Sequence, residues 1–216
     1  MAGPDRATGV DGWARLHGMD RVPLPARVWV ALVQWLARPL SRVHPDVLSL
    51  LGVVALAGAV ATTRWPLLTA LLLVVGGLLD GLDGAVALRS GRARPLGAVV
   101  DAVADRLGDL LLVAVLFRLG APGWWCVGVG ATVLLHEYVR ARAQAAGMAG
   151  QGAVTVAERP TRVVVVLVAA LGTGVMPAGT PLTGWQWATA CTVIGAILAG
   201  VGLAQLAVGV VRSVPR

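Results

Sequence analysis

The sequence predicts an all-α, polytopic membrane protein with six transmembrane helices preceded by an amphipathic cytoplasmic-surface helix. Three observations carry this expectation. Of the 216 residues, 57% are hydrophobic and 13% charged, and the mean hydropathy is +0.78, whereas a soluble domain carries about a quarter charged residues. The apolar residues gather into stretches close to the ~20 residues that cross a bilayer. All 18 basic residues are arginines, and they collect in alternate connecting segments.

The elements follow in chain order. Residues 1–24 are polar and read as a flexible cytoplasmic tail. No signal peptide is expected, because the first long apolar run starts only near Val47. Residues 25–216 form one membrane domain, without a repeat. At 25–43, Val28, Leu32, Trp35 and Leu36 share one helical face, Arg27, Arg38 and Arg42 supply charge, and Trp29 and Trp35 suit the headgroup region. Residues 47–63 are uncharged, and after Arg64 a second span covers 66–88. The third, 97–119, joins an acid-bearing start to the apolar Leu110–Phe117, and the fourth, 123–143, follows Pro122 and ends in a polar turn from His136 to Arg142. From Val163 to Val211 there is no charge in 49 residues, but Pro177, Gly179, Pro181 and Gly184 break the run into spans 162–177 and 185–211.

Arginine placement tests this count, since cytoplasmic segments collect positive charge. Six spans put fifteen arginines on the side of the two termini, against Arg64 and Arg118 opposite and Arg106 within a span. Both termini, and the site described next, should face the cytoplasm, with the chain in the plasma membrane. The same distribution removes nucleic acid as the reason for the net charge of +7; anionic headgroups fit it better. Cys126 and Cys191 lie in separate apolar runs and read as packing residues.

Five of the eleven acids fall at Asp80, Asp83, Asp101, Asp105 and Asp109. Each aspartate in a membrane helix costs about 2.5–3.5 kcal/mol on insertion scales, so the group implies a use. Spacings of three and four put Asp80 with Asp83, and Asp101 with Asp105, on single helix faces. A short loop makes the two helices antiparallel neighbours, so the pairs can converge. Converging carboxylates call for hard cations: Mg²⁺, Mn²⁺ or Ca²⁺. Ion pairs with Arg89, Arg92, Arg94 and Arg106, or a cation or proton transport pathway, would use the same acids. Gly81, Gly84 and Gly97 flank the pairs and favour close approach of a ligand. A transporter should also carry ionisable groups in the last two spans, which have none.

These residues resemble the signature of the CDP-alcohol phosphotransferase family, D-x2-D-G-x2-A-R-x8-G-x3-D-x3-D. Asp80, Asp83, Gly84, Ala87, Gly97, Asp101 and Asp105 match it over 26 residues. The arginine after the alanine is Leu88 here, with Arg89 one step later. One helical step turns a side chain by about 100°, and this departure is the sole argument for an inactive paralogue. The run from His44 to Ser49 looks like the family's P-N-x-L-T, with Asp46 and Ser49 as variants. Asp101–Asp109, Tyr138–Ala143 and Ala157–Arg162 look most like the phosphatidylinositol phosphate synthases of actinobacteria. The resemblance covers about residues 25–175.

The resemblance implies transfer of a phosphatidyl group from CDP-diacylglycerol to a small hydroxyl acceptor in phospholipid synthesis, with release of CMP. It implies two Mg²⁺ or Mn²⁺ ions held by Asp80, Asp83, Asp101 and Asp105, with Asp105 also serving as the general base. Gly84, Ala87, Arg89, Gly97 and Ser49 would serve the nucleotide, Gly97 also keeping two helices close. Arg140, Arg159 and Arg162 lie on the side of the acids and would hold a phosphate on the acceptor; positive-inside charge alone would also place arginines there. Inositol phosphate is the first acceptor and glycerol 3-phosphate the second. A homodimer among membrane lipids is expected. His136 and Glu137 read as a helix-end pair, since no second histidine stands at metalloprotease spacing.

Overall fold

The computed structural model describes residues 24–91, 94–148 and 154–214; the tail expected at 1–24 lies outside them except for Leu24. Among the described residues there are seven α-helices and no strand: α1 (Leu24–Leu36), α2 (Pro45–Ala61), α3 (Pro66–Ser90), α4 (Pro95–Arg118), α5 (Gly123–Ala145), α6 (Arg159–Val175) and α7 (Trp187–Ser213). Helices α2, α3 and α4 each begin on a proline, whose fixed φ suits the first helical position and whose missing N–H is not needed there.

The surface helix expected over 25–43 is shorter than that. Helix α1 ends at Leu36 and a 3₁₀ turn runs from Pro39 to Arg42, because Pro39 lacks a donor for the next helical bond and its ring crowds the preceding turn. Its faces also differ from the expectation. Val30 and Val33 are buried, as is Ala37 just after the helix, whereas Val28, Leu32 and Trp35 point outward. Helix α1 is therefore apolar on two sides.

Among the described residues, two helices are long and apolar enough to cross a membrane, α3 and α7. Helix α4 carries Asp101, Asp105, Arg106 and Asp109, and α5 carries Glu137, Arg140 and Arg142. Helices α2 and α6 have 17 residues each, a rise of about 25 Å against a hydrocarbon thickness of ~30 Å.

The chain divides into two compact units. The first holds the described residues up to Val53 with Gly76–Ala104, the second Val54–Val75 with the chain from Asp105 onward, so α2, α3 and α4 contribute to both. In the first unit, Val33 of α1 and Ala37 just after that helix pack with Leu48 of α2 and with Leu82, Ala85 and Val86 of α3. Gly52 lets α2 approach α3: a Cβ there would lie 3.5 Å from the carbonyl oxygen of Gly76.

The second unit has a core rich in small residues, with Ala59, Ala70, Ala121, Ala169, Ala170 and Ala188 around Leu56, Leu73, Leu112 and Leu116. Cys126 and Cys191 are buried in it. Helix α7 packs on α5 and α6. The contact is close enough that a Cβ on Gly172 would sit 2.1 Å from Cδ2 of Trp187, and one on Gly202 would sit 2.4 Å from Cβ of Ala157. Helices in lipid associate through such close approach, because water exclusion no longer drives them together. The break between α6 and α7 is a turn with Gly179 at φ 107° and Gly184 at φ 70°, tied by Thr180 N–H donating to the Trp185 carbonyl at 2.9 Å.

Candidate active site and metal centre

In the first unit, the start of α2, the end of α3 and the start of α4 line a cleft of about 240 Å³. Its walls include Asp46 and Ser49 from α2, Asp83, Gly84, Ala87 and Leu88 from α3, and Gly97 and Asp101 from α4, with Arg94 just before that helix. Four of the five residues expected to serve a nucleotide meet here. The fifth, Arg89, is not among the lining residues: its guanidinium donates to Oε1 of Gln34 at 3.2 Å.

Asp83 is the most enclosed acid of the cleft, at 5% exposure. Ser49 Oγ donates to its Oδ2 at 2.6 Å, and the Gly84 N–H donates to its Oδ1 at 2.6 Å. Both oxygens thus have donors, which fix the orientation of the carboxylate. Asp80, half-buried, and Asp101, exposed, each bring a carboxylate oxygen to within 4.8 Å of the other. A donor set of carboxylate oxygens this close fits hard divalent cations.

The glycines separate by what faces them. A Cβ on Gly84 would meet nothing within 4 Å, so that residue leaves open space at the cleft. Gly81, expected to admit a ligand, instead faces α1: a Cβ there would lie 3.3 Å from Cγ2 of Val33 and 3.4 Å from Cζ2 of Trp29. Gly97, expected to bring helices together, faces the side chain of Arg94, whose Cγ would lie 3.3 Å from an added Cβ.

The second unit gathers four arginines and four acids. Asp105, one helical turn beyond Asp101 on α4, accepts a hydrogen bond from Arg159 Nη1. Gly108 makes room for that guanidinium, since a Cβ would sit 2.7 Å from Arg159 Nη2. Arg162 donates to Asp109 at 2.5 Å, to Glu137 at 2.6 Å and to the Ala157 carbonyl at 2.8 Å. Arg140 grips Glu158 through two bonds, at 2.6 and 3.1 Å. Arg106 lies 3.1 Å from Glu137 and 3.4 Å from Asp109. Burial disfavours a charged Glu158, but the bonds from Arg140 and from the Thr155 N–H outweigh it and hold this carboxyl below its usual range.

All three arginines expected to bind an acceptor phosphate are therefore paired with carboxylates. The sequence reading missed those partners: Asp109, Glu137 and Glu158 were not assigned to them, and Arg94 was not assigned to the cleft. His136 and Glu137 do not end a helix, since α5 runs on to Ala145; His136 is 2% exposed and its Nε2 lies 3.2 Å from Thr155 Oγ1. A sequence signal existed only for the local pairs, Arg106 with Asp109 and Glu137 with Arg140, at helical spacing.

Residues 42–210 match the family described as CDP-alcohol phosphatidyltransferase. The chain is similar to the phosphatidylinositol phosphate synthase of Mycobacterium tuberculosis, 34% identical over 171 residues, which cover 70% of this chain and 75% of the relative. It is also similar to the archaetidylinositol phosphate synthase of Aeropyrum pernix, 33% identical over 134 residues, covering 59% of this chain and 69% of that one. Among solved structures, the mycobacterial synthase in complex with manganese and citrate superposes with a TM-score of 0.67 at 27% identity, covering 84% of this chain and 90% of that one. The same synthase with CDP-DAG bound gives 0.65 at 29% identity, covering 85% and 95%.

Proposed function

The chain belongs to the CDP-alcohol phosphatidyltransferase family, and from that premise we propose that it transfers a phosphatidyl group from CDP-diacylglycerol to inositol phosphate and releases CMP. The observation that carries the reading is the cleft in which Ser49 and Gly84 orient Asp83 beside Asp101 and the open face of Gly84. Relatives of two different lipid types, a phosphatidyl and an archaetidyl enzyme, are both named for inositol phosphate, which ranks that acceptor ahead of glycerol 3-phosphate.

Asp80, Asp83 and Asp101 are the ligands for two Mg²⁺ or Mn²⁺ ions, with Asp105 adjoining along α4. When bound, those ions supply positive charge against the diphosphate and the departing CMP. The remaining work falls to the chain. Gly84 and Ala87 leave space for the cytidine, and Ser49 fixes the Asp83 carboxylate. Asp105 accepts the proton of the attacking hydroxyl while the acceptor oxygen bonds to phosphorus and the P–O bond to CMP breaks. Arg159, paired with Asp105, aims that carboxylate. The acceptor's phosphate reaches Arg140 and Arg162 by exchanging with the carboxylates that hold them, and reaches Arg159 while that guanidinium keeps its bond to Asp105.

The chain crosses the plasma membrane six times, through α2 to α7, with both termini and the cleft on the cytoplasmic side and α1 on the membrane surface. Support comes from the helix bounds, the fifteen arginines on one side, and the outward Val28, Leu32 and Trp35 of α1. The unit of function is a homodimer, as the resemblance implies.

The test is CMP release by purified protein given CDP-diacylglycerol, Mn²⁺ or Mg²⁺, and a panel of inositol phosphate, inositol, glycerol 3-phosphate and serine. Release that depends on inositol phosphate and stops on chelation is expected. Release with free inositol alone would refute the acceptor, and release with chelator present would refute the metal ligands.

A further inference from the structure

Two departures from the family signature, Leu88 and Asp46, meet in one cleft, and the cleft contains a cation that the signature does not mark. Leu88 stands where the signature has arginine and lines the cleft with an apolar side chain. Arg89 does not compensate, because it is engaged with Gln34 outside the lining. Among the described residues that line the cleft there are three carboxylates, Asp46, Asp83 and Asp101, and one guanidinium, Arg94. Arg94 Nη2 donates to Asp46 Oδ2 at 2.5 Å. Its stem lies across Gly97, where any Cβ would press on Cγ at 3.3 Å.

From this geometry we infer that Arg94 is a binding residue for the diphosphate of the CDP-linked donor, in place of the arginine absent at position 88, and that Asp46 is the positioning residue that aims it. The inference deepens the donor reading given above and rests on it. With Asp83 and Asp101 committed to divalent ions, the diphosphate oxygens turned away from those ions would pair with a cation of the chain's own, and Arg94 lines the same cleft. A planar guanidinium held along one edge by Asp46 still has a second edge for phosphate oxygens, the bidentate geometry that arginine favours. Stability is a poor explanation for the pair. Arg94 and Asp46 are 44% and 27% exposed, and ion pairs at such exposure contribute little to folding. An asparagine at position 46, as in the signature, could still accept a bond from Arg94 but would supply no charge to hold it.

The experiment measures donor and acceptor KM by CMP release from CDP-diacylglycerol with inositol phosphate. Arg94→Gln should raise the donor KM about ten-fold, the low end for a charge-assisted bond given the exposure, and leave the acceptor KM within about two-fold. Adding Leu88→Arg to Arg94→Gln should bring the donor KM back most of the way, since position 88 faces the same cleft; a merely structural arginine would not be rescued from there. Asp46→Asn should raise the donor KM less than Arg94→Gln does. Arg94→Lys, which keeps charge and stem, serves if Arg94→Gln does not fold, and should give an intermediate donor KM. An unchanged donor KM in Arg94→Gln or Arg94→Lys, or a raised one that Leu88→Arg fails to restore, overturns the inference. No CMP release by the unsubstituted protein with any acceptor would instead overturn the donor reading.

Discussion

Replacing Ser49 by alanine removes one oxygen and tests whether Asp83 works through its orientation. Ser49 Oγ lies 2.6 Å from Asp83 Oδ2, and Asp83 is 5% exposed, so water cannot easily take the lost donor's place. A hydrogen bond to a charged group contributes about 1.5–3 kcal/mol. Alanine regains about 0.5 kcal/mol of helix propensity within α2. The net loss is therefore about 1–2.5 kcal/mol, a five- to sixty-fold effect. Because the affected carboxylate is a proposed metal ligand, the loss should appear as a higher Mn²⁺ concentration for half-maximal CMP release, with kcat/KM reduced at fixed Mn²⁺. Ser49→Thr keeps the oxygen and should stay near the unsubstituted protein. Ser49→Ala with activity within two-fold at every Mn²⁺ concentration would refute the reasoning, and so would a lowered melting temperature with unchanged kinetics, which would leave Ser49 a purely structural role.

Four other outcomes are expected. Asp80→Asn or Asp101→Asn should abolish CMP release while the protein stays monodisperse in detergent, since each substitution removes a ligand charge at nearly constant volume; activity at the unsubstituted level in either would remove that residue from the metal site. Arg159→Ala should raise the acceptor KM about ten- to a hundred-fold, the range for a charge-assisted bond to an anion, with the donor KM little changed and kcat lowered because Asp105 loses its partner; an unchanged acceptor KM would argue against a phosphorylated acceptor. Gly172→Ala should lower stability by about 1–3 kcal/mol through overpacking, because the new Cβ would fall 2.1 Å from Trp187 Cδ2; a melting temperature equal to that of the unsubstituted protein would refute the contact. In intact cells, a cysteine placed at Thr183 should react with an impermeant thiol reagent and one at Ser213 should not; the reverse pattern would invert the topology.

Much of the helical layout was legible because its signals are local. Spans expected at 66–88, 97–119 and 123–143 correspond to helices Pro66–Ser90, Pro95–Arg118 and Gly123–Ala145, since apolar runs and prolines act within a few residues. The spacing of Asp80, Asp83 and Asp101 was legible for the same reason. The direction in which a side chain points was not. Trp29 and Val33 occupy the side of Gly81 that the sequence leaves open to a ligand, and nothing near Gly81 in the chain marks α1 as its neighbour. Arg89 turns to Gln34, 55 positions away, and Arg162 to Asp109, 53 positions away; such pairs exist only once the helices have packed. The face of α1 was misjudged for a related reason. Both of its sides are apolar, and periodicity cannot say which of two apolar sides meets protein.

The alanine-rich core of the second unit has a consequence for how this chain tolerates random change. Six of its buried members are alanines, and Gly108, Gly172, Gly174 and Gly202 each leave no room for a methyl group without displacement of a neighbour. A core of leucines fails chiefly when carbon is taken away, whereas backbones held this close fail when carbon is added. In a saturation scan read out by growth or abundance, the intolerant positions of this half should therefore be its smallest residues, and substitutions that trim Leu111 or Val165 at the partly buried edge of the core should pass more readily than a single methyl placed on Gly202.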